Sequence, residues 1–411
     1  MSVTMHADPT AAADRDRHAA REHARAGRAH DAEACFRRVL AERGDDVEAL
    51  RFIAAQAAGR GEDGEAVALL SRAAKAAPED AGVLAELGIV YRSAERYDAA
   101  RYVLERAVAL DAARNPSMRL VLADVLERDA RPELALLHYF RALVDARRLR
   151  RWTGEDGAGY EIERLAAHAE RYAAAGRRAW FERALAAEGM TCSERVRAAL
   201  AMYLGERPVA LADPRQRSVF LPVPGLAATP FLDRGQFPWL AAASATLATL
   251  GAEAAACLAA VPRQAALRLA IQLHGIAQYE ARRHAPRLVA ALASLPLPHI
   301  ANHAPEAELL ALDTGASLPA QYGRANWRPR AIVALAGSAS FDVVAGGEQR
   351  TLVAGESVVA DASFGIAYRA SGAARALTFE VWHPDLAAHE RQALSVLALA
   401  AVDFDTRLSE L

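Results

Sequence analysis

The stretch LRFIAAQAAGRGEDGEAVALLSRAAKAAP, residues 50–78, has a second version of its own pattern further along the chain. Residues 84–112, LAELGIVYRSAERYDAARYVLERAVALDA, place apolar and small residues at the same offsets, each displaced by 34 positions, so that Ala54 corresponds to Gly88. A repeat of this length decides the architecture, because each unit must stack on its neighbours to bury its apolar face. The chain is therefore expected to begin with an array of helical units rather than a single compact bundle.

A 34-residue unit of two helices resembles the tetratricopeptide repeat. The same frame extends backwards through Ala20 and Phe36 and, after one inserted residue, forwards through Ala123 and Tyr139, which makes four repeats. Small residues at the eighth and twentieth positions would let the two helices of a unit cross closely. We therefore predict an α-solenoid over residues 15–150, whose concave face is lined by the first helix of each unit.

Concave faces of such arrays bind extended peptides or partner proteins, and this surface is predicted to carry four arginines. A guanidinium there would meet acidic side chains or the C-terminal carboxylate of a ligand. The alternative is that these side chains only solvate the surface. The four residues are Arg17, Arg21, Arg51 and Arg92.

Composition narrows the possible functions. A chain of 411 residues is too long for one hydrophobic core, and its apolar share of 53% and charged share of 24% are typical of globular proteins. The net charge of −2 provides no global field that would attract nucleic acid or an anionic membrane. We therefore expect a protein or peptide partner, with no nucleic acid and no membrane.

Cysteine usage and the apolar runs indicate the compartment. Cys35, Cys192 and Cys257 lie far apart and form no CxxC motif, which favours a reducing environment. The N-terminus lacks the apolar segment of a secretory signal, and the uncharged run 235–252 is too weakly apolar to span a bilayer. A cytoplasmic location is predicted, and the abundance of Ala and Arg is typical of a GC-rich bacterium.

The second half of the chain changes its period. Residues 151–211 keep a helical pattern without the repeat and are predicted to form capping helices and a linker, with a domain boundary near residue 212. Helices are predicted at 239–259 and 282–295, followed from residue 308 by short alternating strands. These features predict a jelly-roll (double-stranded β-helix) barrel with flanking helices over residues 212–411. Within it, Gly346-Gly347 is a two-residue hairpin signal.

Four segments in this half carry a resemblance: FLDRGQFPWL at 231–240, GRANWRPR at 323–330, ADASF at 360–364 and FEVWHPDL at 379–386. In this order and spacing they resemble the aspartyl/asparaginyl β-hydroxylase domain. Members of that family are Fe(II)- and 2-oxoglutarate-dependent oxygenases on a double-stranded β-helix, and some carry tetratricopeptide repeats in front of it. The resemblance covers residues from about 220 to 394.

The resemblance also implies where iron would bind, and this chain departs from the family there. The two positions of the family's iron-ligating histidines hold Gln321 and Ile366, and a further cosubstrate histidine is replaced by Ile332. Between Ala304 and Trp382 the sequence has no His and no Cys, although redox iron in such sites requires imidazole nitrogen. No metal site and no cofactor are predicted; an enzyme of this family would need Fe(II) and 2-oxoglutarate.

The arginines of the GRANWRPR segment leave two interpretations open. By resemblance, Arg330 corresponds to the residue that binds the 2-oxoglutarate carboxylate, so the barrel would retain a site for an anion. Alternatively, Arg330 pairs with a neighbouring acid and holds the barrel together. Alternation along a strand would put Asn326, Arg328 and Arg330 on one face. The full candidate pocket is Arg330, Arg328, Asn326, Gln321, Ser363 and Arg375.

These observations predict a catalytically degenerate hydroxylase-like protein that serves as a peptide- or protein-binding scaffold, or as a partner subunit of an active hydroxylase paralogue. Two alternatives remain at this point. One is an active peptidyl Asp/Asn hydroxylase with an atypical metal site. The other is a metal-free sensor that binds a dicarboxylate through Arg330.

Overall fold

A computed structural model describes residues 9–111, 116–149 and 159–411 of the chain. They form two compact units. The first comprises the residues up to Arg177 together with Arg407–Leu411, and the second is Arg178–Thr406.

The first unit is a helical repeat array, as the 34-residue period predicted. Its described helices are α1 (Pro9–Arg25), α2 (Ala29–Glu42), α3 (Val47–Gly59), α4 (Asp63–Ala76), α5 (Ala81–Ser93), α6 (Tyr97–Asp111), α7 (Pro116–Arg128), α8 (Pro132–Leu149) and α9 (Gly159–Ala187), whose end lies in the second unit. Consecutive helices pack in pairs, α1 with α2 through α7 with α8. The starts of α3 and α5 differ by 34 positions, and those of α5 and α7 by 35, which places the inserted residue between the third and fourth units.

Small residues allow the two helices of a repeat to cross. A Cβ added at Gly88 on α5 would lie 2.4 Å from Cγ of Leu104 on α6, so a larger side chain would not fit without movement. Acidic caps begin the first helices: the Asp46 carboxylate accepts from the backbone N–H of Ala49 and the Asp80 carboxylate accepts from that of Val83. Local sequence thus sets both the start of each unit and its internal spacing.

Within the described residues, the second unit contains two antiparallel sheets and six further α-helices. The last of these helices, α15, ends in the first unit. The strands are β1 (Phe231–Leu232), β2 (Ala266–Leu273), β3 (Ile276–Ala277), β4 (Ala307–Leu312), β5 (Ser317–Gln321), β6 (Arg330–Ala334), β7 (Phe341–Ala345), β8 (Glu348–Leu352), β9 (Ser357–Ala360), β10 (Ile366–Ala370) and β11 (Ala374–Glu380). The helices are α10 (Glu194–Tyr203), α11 (Leu240–Thr249), α12 (Gly251–Ala259), α13 (Tyr279–His284), α14 (Pro286–Ala293) and α15 (Ala388–Ser409). The seven-stranded sheet has the order β1-β9-β6-β11-β4-β2-β3 and the four-stranded sheet β5-β10-β7-β8.

Alternation along the strands divides the core into two layers. Leu310 and Ile332 of the larger sheet form one buried cluster with Val343 and Tyr368 of the smaller sheet, and we call this layer the inter-sheet core. The opposite face of the larger sheet packs against the helices. That layer joins Leu309, Val333 and Phe379 to side chains of α11 and α14, namely Leu240, Leu247 and Leu288. The predicted position of the helices outside the sheets is therefore confirmed.

Several element boundaries differ from the sequence-based expectation. Residues 239–259 form two helices rather than one, with a break at Leu250. The second helix begins at Gly251, where a Cβ would lie 3.2 Å from the Ala336 carbonyl oxygen. The helix predicted at 282–295 is also two, because Pro286 cannot continue α13 and instead begins α14. The hairpin at Gly346-Gly347 is confirmed, with φ of 55° and 86° at these residues.

The division into units also differs from the expected boundary near residue 212. The indole N–H of Trp180 donates to the Ala400 carbonyl, and the Arg195 guanidinium binds the Glu390 carboxylate, so α10 and the end of α9 belong with α15 in the second unit. Among the described residues, no single helix has the length and apolarity needed to cross a bilayer. The bent pair α11 and α12 meets those criteria by length and composition only.

Candidate functional site

Two regions hold the residues singled out by the sequence: the first helices of the repeat array, and the interior between the two sheets. They lie in different units and are described separately. In both regions, most of the predicted arginines have carboxylate partners within their own unit, and Arg375 is the exception described below.

In the array, arginines of one repeat pair with carboxylates of the next. Arg21 on α1 donates from Nε and Nη2 to the two Glu48 oxygens on α3, at 2.7 and 2.6 Å. Arg51 on α3 forms the same two-point contact with Glu86 on α5, at 2.9 Å from Nε and 2.5 Å from Nη2. The two contacts span 27 and 35 positions, so each joins the first helix of one repeat to the first helix of the next, through different positions of the repeat.

The third pair lies deeper. Arg92 on α5 donates from Nε to Asp124 on α7 at 2.6 Å and from Nη2 to Glu161 on α9 at 2.6 Å. Burial opposes the charge of Arg92, but these two carboxylates outweigh it and raise the pKa of the guanidinium. Arg17 differs from the other three, because its guanidinium contacts Asp46, the capping residue of α3. We call the three inter-repeat contacts Arg21–Glu48, Arg51–Glu86 and Arg92–Asp124/Glu161 the arginine ladder.

Two concave pockets adjoin the arginine ladder. The first, of about 850 Å³, has Phe36, Val47 and Phe52 among its lining residues. The second, of about 600 Å³, is lined by apolar side chains of α5, α7 and α9, among them Ile89, Val121 and Leu165. Arg51 and Glu86 border both pockets. The two pockets are therefore adjacent, with the Arg51–Glu86 pair at their common border, and we call them together the repeat groove.

Between the sheets, Arg330 is held by two carboxylates. Its Nη1 donates to Glu308 at 2.8 Å and its Nη2 to Glu306 at 2.9 Å. Arg328 Nη1 donates to Glu380 at 3.0 Å. Arg268 adds a third guanidinium, at 3.6 Å from Glu308. These three arginines and three glutamates have no net charge, and we call them the inter-sheet ion cluster.

Burial makes this cluster sensitive to the loss of any member. Arg330 is 7% exposed and Glu308 9%. Burial acts to lower the pKa of Arg330, but Glu308, Glu380 and Glu306 more than offset it and raise that pKa. For Glu380 the balance is reversed, since burial raises the pKa of its carboxyl and Arg328 only partly opposes it. Removing one partner would leave an uncompensated charge in a low-dielectric interior.

The other members of the predicted pocket occupy separate places. Asn326 pairs with the backbone of Val223, donating from Nδ2 to its carbonyl and accepting from its N–H. Ser363 follows β9, where its backbone N–H donates to Asp361 and its hydroxyl accepts from Gln216. Neither side chain contacts Arg330 in the described hydrogen bonds.

Arg375 is a correction to the predicted pocket. Alternation along β11 puts its side chain on the face opposite Ala376 and Glu380, and the side chain is exposed. It therefore does not join Arg330. The predicted shared face of Asn326, Arg328 and Arg330 also needs correction, because β6 begins only at Arg330 and the two earlier residues precede the strand.

The structure does bring together the two positions that the resemblance assigns to iron ligands. Gln321 at the end of β5 and Ile366 at the start of β10 are direct cross-strand partners, although 45 positions separate them in sequence. Neither offers an imidazole, and Ile366 belongs to the inter-sheet core. Within the described residues no group of three or more His, Cys, Asp or Glu could hold a metal ion. The side chains present do not fit a redox iron site.

His303 lies on the segment that leads into the sheets, shortly before β4. Its ring packs against Phe220, with the ring centroids 4.6 Å apart. Burial, together with the nearby Arg328 and Arg324, lowers the pKa of His303 to about 3, so the imidazole is neutral at physiological pH. These contacts are those of a structural residue packed among aromatic rings.

Sequence reasoning missed the acidic half of the inter-sheet ion cluster. Glu308 and Glu380 lie in mostly apolar strands, AELLAL and ARALTFE. An acidic residue on the buried face of such a strand was the available signal, because a carboxylate there needs a cationic partner. Arg268 lies on β2, a strand that the sequence analysis did not predict.

Comparisons with known proteins were made for the whole chain. No family model matches, and no curated protein matches significantly. Among solved structures, MamA is 16% identical, with a TM-score of 0.32, over 34% of this chain and 81% of MamA. YrrB, described as a TPR protein with an unusual peptide-binding site, is 18% identical, with a TM-score of 0.30, over 37% of this chain and 73% of YrrB.

A point mutant of the O-GlcNAc transferase of Thermobaculum terrenum is 25% identical, with a TM-score of 0.30, over 36% of this chain and 27% of that protein. Each of these three likenesses covers little more than a third of this chain.

Proposed function

We propose that this chain is a protein-interaction scaffold whose repeat groove holds a peptide segment of a partner. The observation that carries the proposal is the adjacency of two pockets of about 850 and 600 Å³, which share Arg51 and Glu86 in their lining and expose apolar side chains. Ile89, one of these side chains, is 40% exposed, although it is large and apolar. Apolar side chains left open to solvent along several repeats suit an extended or helical ligand.

The arginine ladder defines what kind of peptide fits. Since Arg21 and Arg51 already have carboxylate partners, the groove presents alternating paired charges rather than a positive surface. A ligand gains little from net charge there, and apolar side chains must supply most of its affinity. We therefore expect binding that depends weakly on salt, in contrast to recognition of an acidic tail by free arginines.

The sheet unit is proposed to be a catalytically degenerate relative of the aspartyl/asparaginyl β-hydroxylases. The cross-strand pairing of Gln321 with Ile366 supports the alignment with the family's ligand positions, and the chemistry of these side chains argues against iron. Arg330 supports the same proposal, because a dicarboxylate would have to displace Glu306 and Glu308 from it. An active hydroxylase with an atypical metal site and a dicarboxylate sensor are the competing functions. A cytoplasmic location stays a prediction.

The scaffold proposal is tested with peptides selected by display on the full-length protein and then synthesised with a fluorophore. Anisotropy titrations compare the wild type with Ile89→Glu, which puts a charge on the groove floor, and with Arg51→Glu, which breaks one pair and repels Glu86. Tyr102→Glu is the matched control, since Tyr102 lies on α6, is 62% exposed and does not line the groove.

We expect Ile89→Glu and Arg51→Glu to weaken binding about tenfold or more, and Tyr102→Glu to leave it unchanged. Selected peptides that bind all four proteins equally would show that the repeat groove is not the docking surface. Calorimetry with 2-oxoglutarate tests the sheet unit separately. Wild-type binding that Arg330→Met abolishes would favour the sensor function.

A further inference from the structure

The outer face of the four-stranded sheet carries a pocket of about 400 Å³ that none of the functions above uses. Its floor is made of small side chains from three neighbouring strands: Ala320 of β5, Ala367 of β10 and Val344 of β7. Val344 and Ala367 alternate with residues of the inter-sheet core, so they point away from it. The pocket therefore opens on the solvent side of the sheet and lies wholly within the second unit.

One wall of this pocket is a cation stacked on an aromatic ring. The Arg217 guanidinium lies 4.4 Å from the centroid of Tyr322, and the Arg217 backbone N–H donates to the Ser363 carbonyl at 2.7 Å. The backbone contact fixes where this side chain starts. Among the described residues, no ion pair involves Arg217, so its guanidinium keeps its hydrogen-bonding edge available.

The opposite wall also places a guanidinium, that of Arg215, over an aromatic ring, but this guanidinium has a carboxylate partner. Arg215 grips the Asp213 carboxylate through Nε and Nη2, donates from Nη1 to the Gly346 carbonyl at 2.7 Å, and lies 5.3 Å from the centroid of Phe364. Its charge is therefore cancelled by Asp213. Of the two guanidinium groups that line the pocket, Arg217 is the one with its charge uncompensated.

Two glycines, Gly365 and Gly346, allow the aromatic rings of the pocket to lie close to the backbone. Gly365 has a φ of +77°, and a Cβ there would lie 2.9 Å from the Tyr322 ring. Gly346 has a φ of +55°, and its Cβ would lie 3.0 Å from the Phe364 ring. Both backbone positions favour glycine conformationally, and both rings occupy space that a side chain would otherwise fill. The shape of the pocket is thus built into the backbone on both sides.

We propose that this pocket binds a carboxylate that bears a small apolar group. The carboxylate is held by Arg217, whose planar guanidinium can donate two parallel hydrogen bonds, and the apolar group lies over Ala320 and Val344 between the two rings. The volume falls within the range of small-ligand sites. Cation, aromatic walls and apolar floor together select a single negative charge on an apolar body, and offer little to a neutral or cationic ligand.

Two sources present this chemistry: a free small carboxylate and the C-terminus of a peptide. Calorimetric titrations of the full chain use 3-phenylpropionate for the first, and the tripeptide Ala-Ala-Phe as free acid and as amide for the second. Three variants are compared. Arg217→Gln removes the cation, Ala320→Glu supplies a competing carboxylate on the floor, and Arg369→Gln changes an exposed arginine of β10 outside the pocket.

We expect the wild type and Arg369→Gln to bind at least one of the free acids. Arg217→Gln and Ala320→Glu should weaken that binding about tenfold or more, because each removes or occupies the charge-assisted contact. Preference for the peptide acid over its amide identifies a chain terminus as the source, whereas binding of 3-phenylpropionate alone identifies a small molecule. Circular dichroism and a melting curve of each variant confirm that it is folded.

Two results would overturn the proposal: no binding of any acid by the wild type at millimolar concentrations, or binding that Arg217→Gln leaves unchanged. Neither result bears on the repeat groove, which lies in the other unit and is tested with different ligands and variants.

Discussion

Replacing Arg330 by Met tests whether the inter-sheet ion cluster is a structural element. The substitution keeps an unbranched side chain of similar reach but removes the guanidinium that holds Glu306 and Glu308. Both Arg330 and Glu308 are at least nine-tenths buried, so the carboxylate left behind would be poorly solvated. Breaking a buried pair in this way costs about 3–5 kcal/mol.

The lower part of that range is expected here, because Arg268 remains 3.6 Å from Glu308 and compensates in part. A loss of about 3 kcal/mol corresponds to a melting temperature lower by about 6–12 °C for a unit of this size. Restoring neutrality in the double variant Arg330→Met/Glu308→Gln should recover part of the loss. The non-additivity of the two changes measures their coupling.

Differential scanning calorimetry of the full chain is the appropriate assay, because the two units can unfold in separate transitions. Arg375→Met is the matched control. It removes another arginine that the sequence grouped with Arg330, but one that is exposed on the opposite face of β11. We expect it to change stability by less than about 0.5 kcal/mol. If Arg330→Met and Arg375→Met shift the transition equally, the ion cluster does not stabilise the sheets, and the reasoning fails.

Three further predictions follow from other contacts. Gly88→Ala should destabilise the array by about 1–3 kcal/mol in urea unfolding, because its Cβ would lie 2.4 Å from Leu104. Gly59→Ala is the control and should be neutral or stabilising, because no atom lies within 4 Å of the Cβ position. Equal effects of the two substitutions would contradict the close crossing of the helices at Gly88. The Arg195 contact lowers the pKa of Glu390 from 4.5 to about 2. This carboxylate therefore stabilises the fold fully above pH 4.5 and progressively less as the pH falls towards 2. Glu390→Gln should be less stable than the wild type at pH 7, and its stability should depend less on pH between 4.5 and 2. The double variant Gln321→His/Ile366→His places two imidazoles on cross-strand partners. It should gain visible Co(II) absorption that the wild type and either single variant lack. A double variant without this absorption would argue that the two positions cannot form a ligand pair.

The repeat array could be predicted because its signal is local and periodic. Every unit repeats the same small and apolar positions, and one inserted residue before α7 was visible as a shift of the frame. β4 and the strands from β6 onwards were found for the same reason, since alternation and the Gly346-Gly347 turn are short-range features. β2 was missed because ALRLAIQL is a short apolar segment between two helical ones, and its alternation is too weak to separate strand from helix.

The candidate site in the sheets could be predicted only in part, because its pairs join distant parts of the chain. Arg330 was found through a motif, but its partners lie 22 and 24 positions away, and the partner of Arg328 lies 52 away. Spacing carries no information at such separations. The carboxylates could be placed only once the strand order β6-β11-β4 was known. In the array, by contrast, the fixed period would have led to the partner of Arg51, which lies 35 positions further on, but not to that of Arg21, which lies only 27 positions further on.

Charge balance explains why the buried Arg330 is accompanied by the carboxylates of Glu306 and Glu308. A buried guanidinium without a counter-ion is too costly to retain, so any fold that keeps Arg330 must supply negative charge, either from a bound ligand or from its own side chains. Here the negative charge comes from Glu306, directly before β4, and from Glu308, on β4, the strand next to β11. A dicarboxylate would then compete with two groups held at high effective concentration. Binding it would take Arg330 away from Glu306 and would leave Glu308 with only the longer Arg268 contact. The same residues that stabilise the sheets therefore oppose occupation of the site by an external anion.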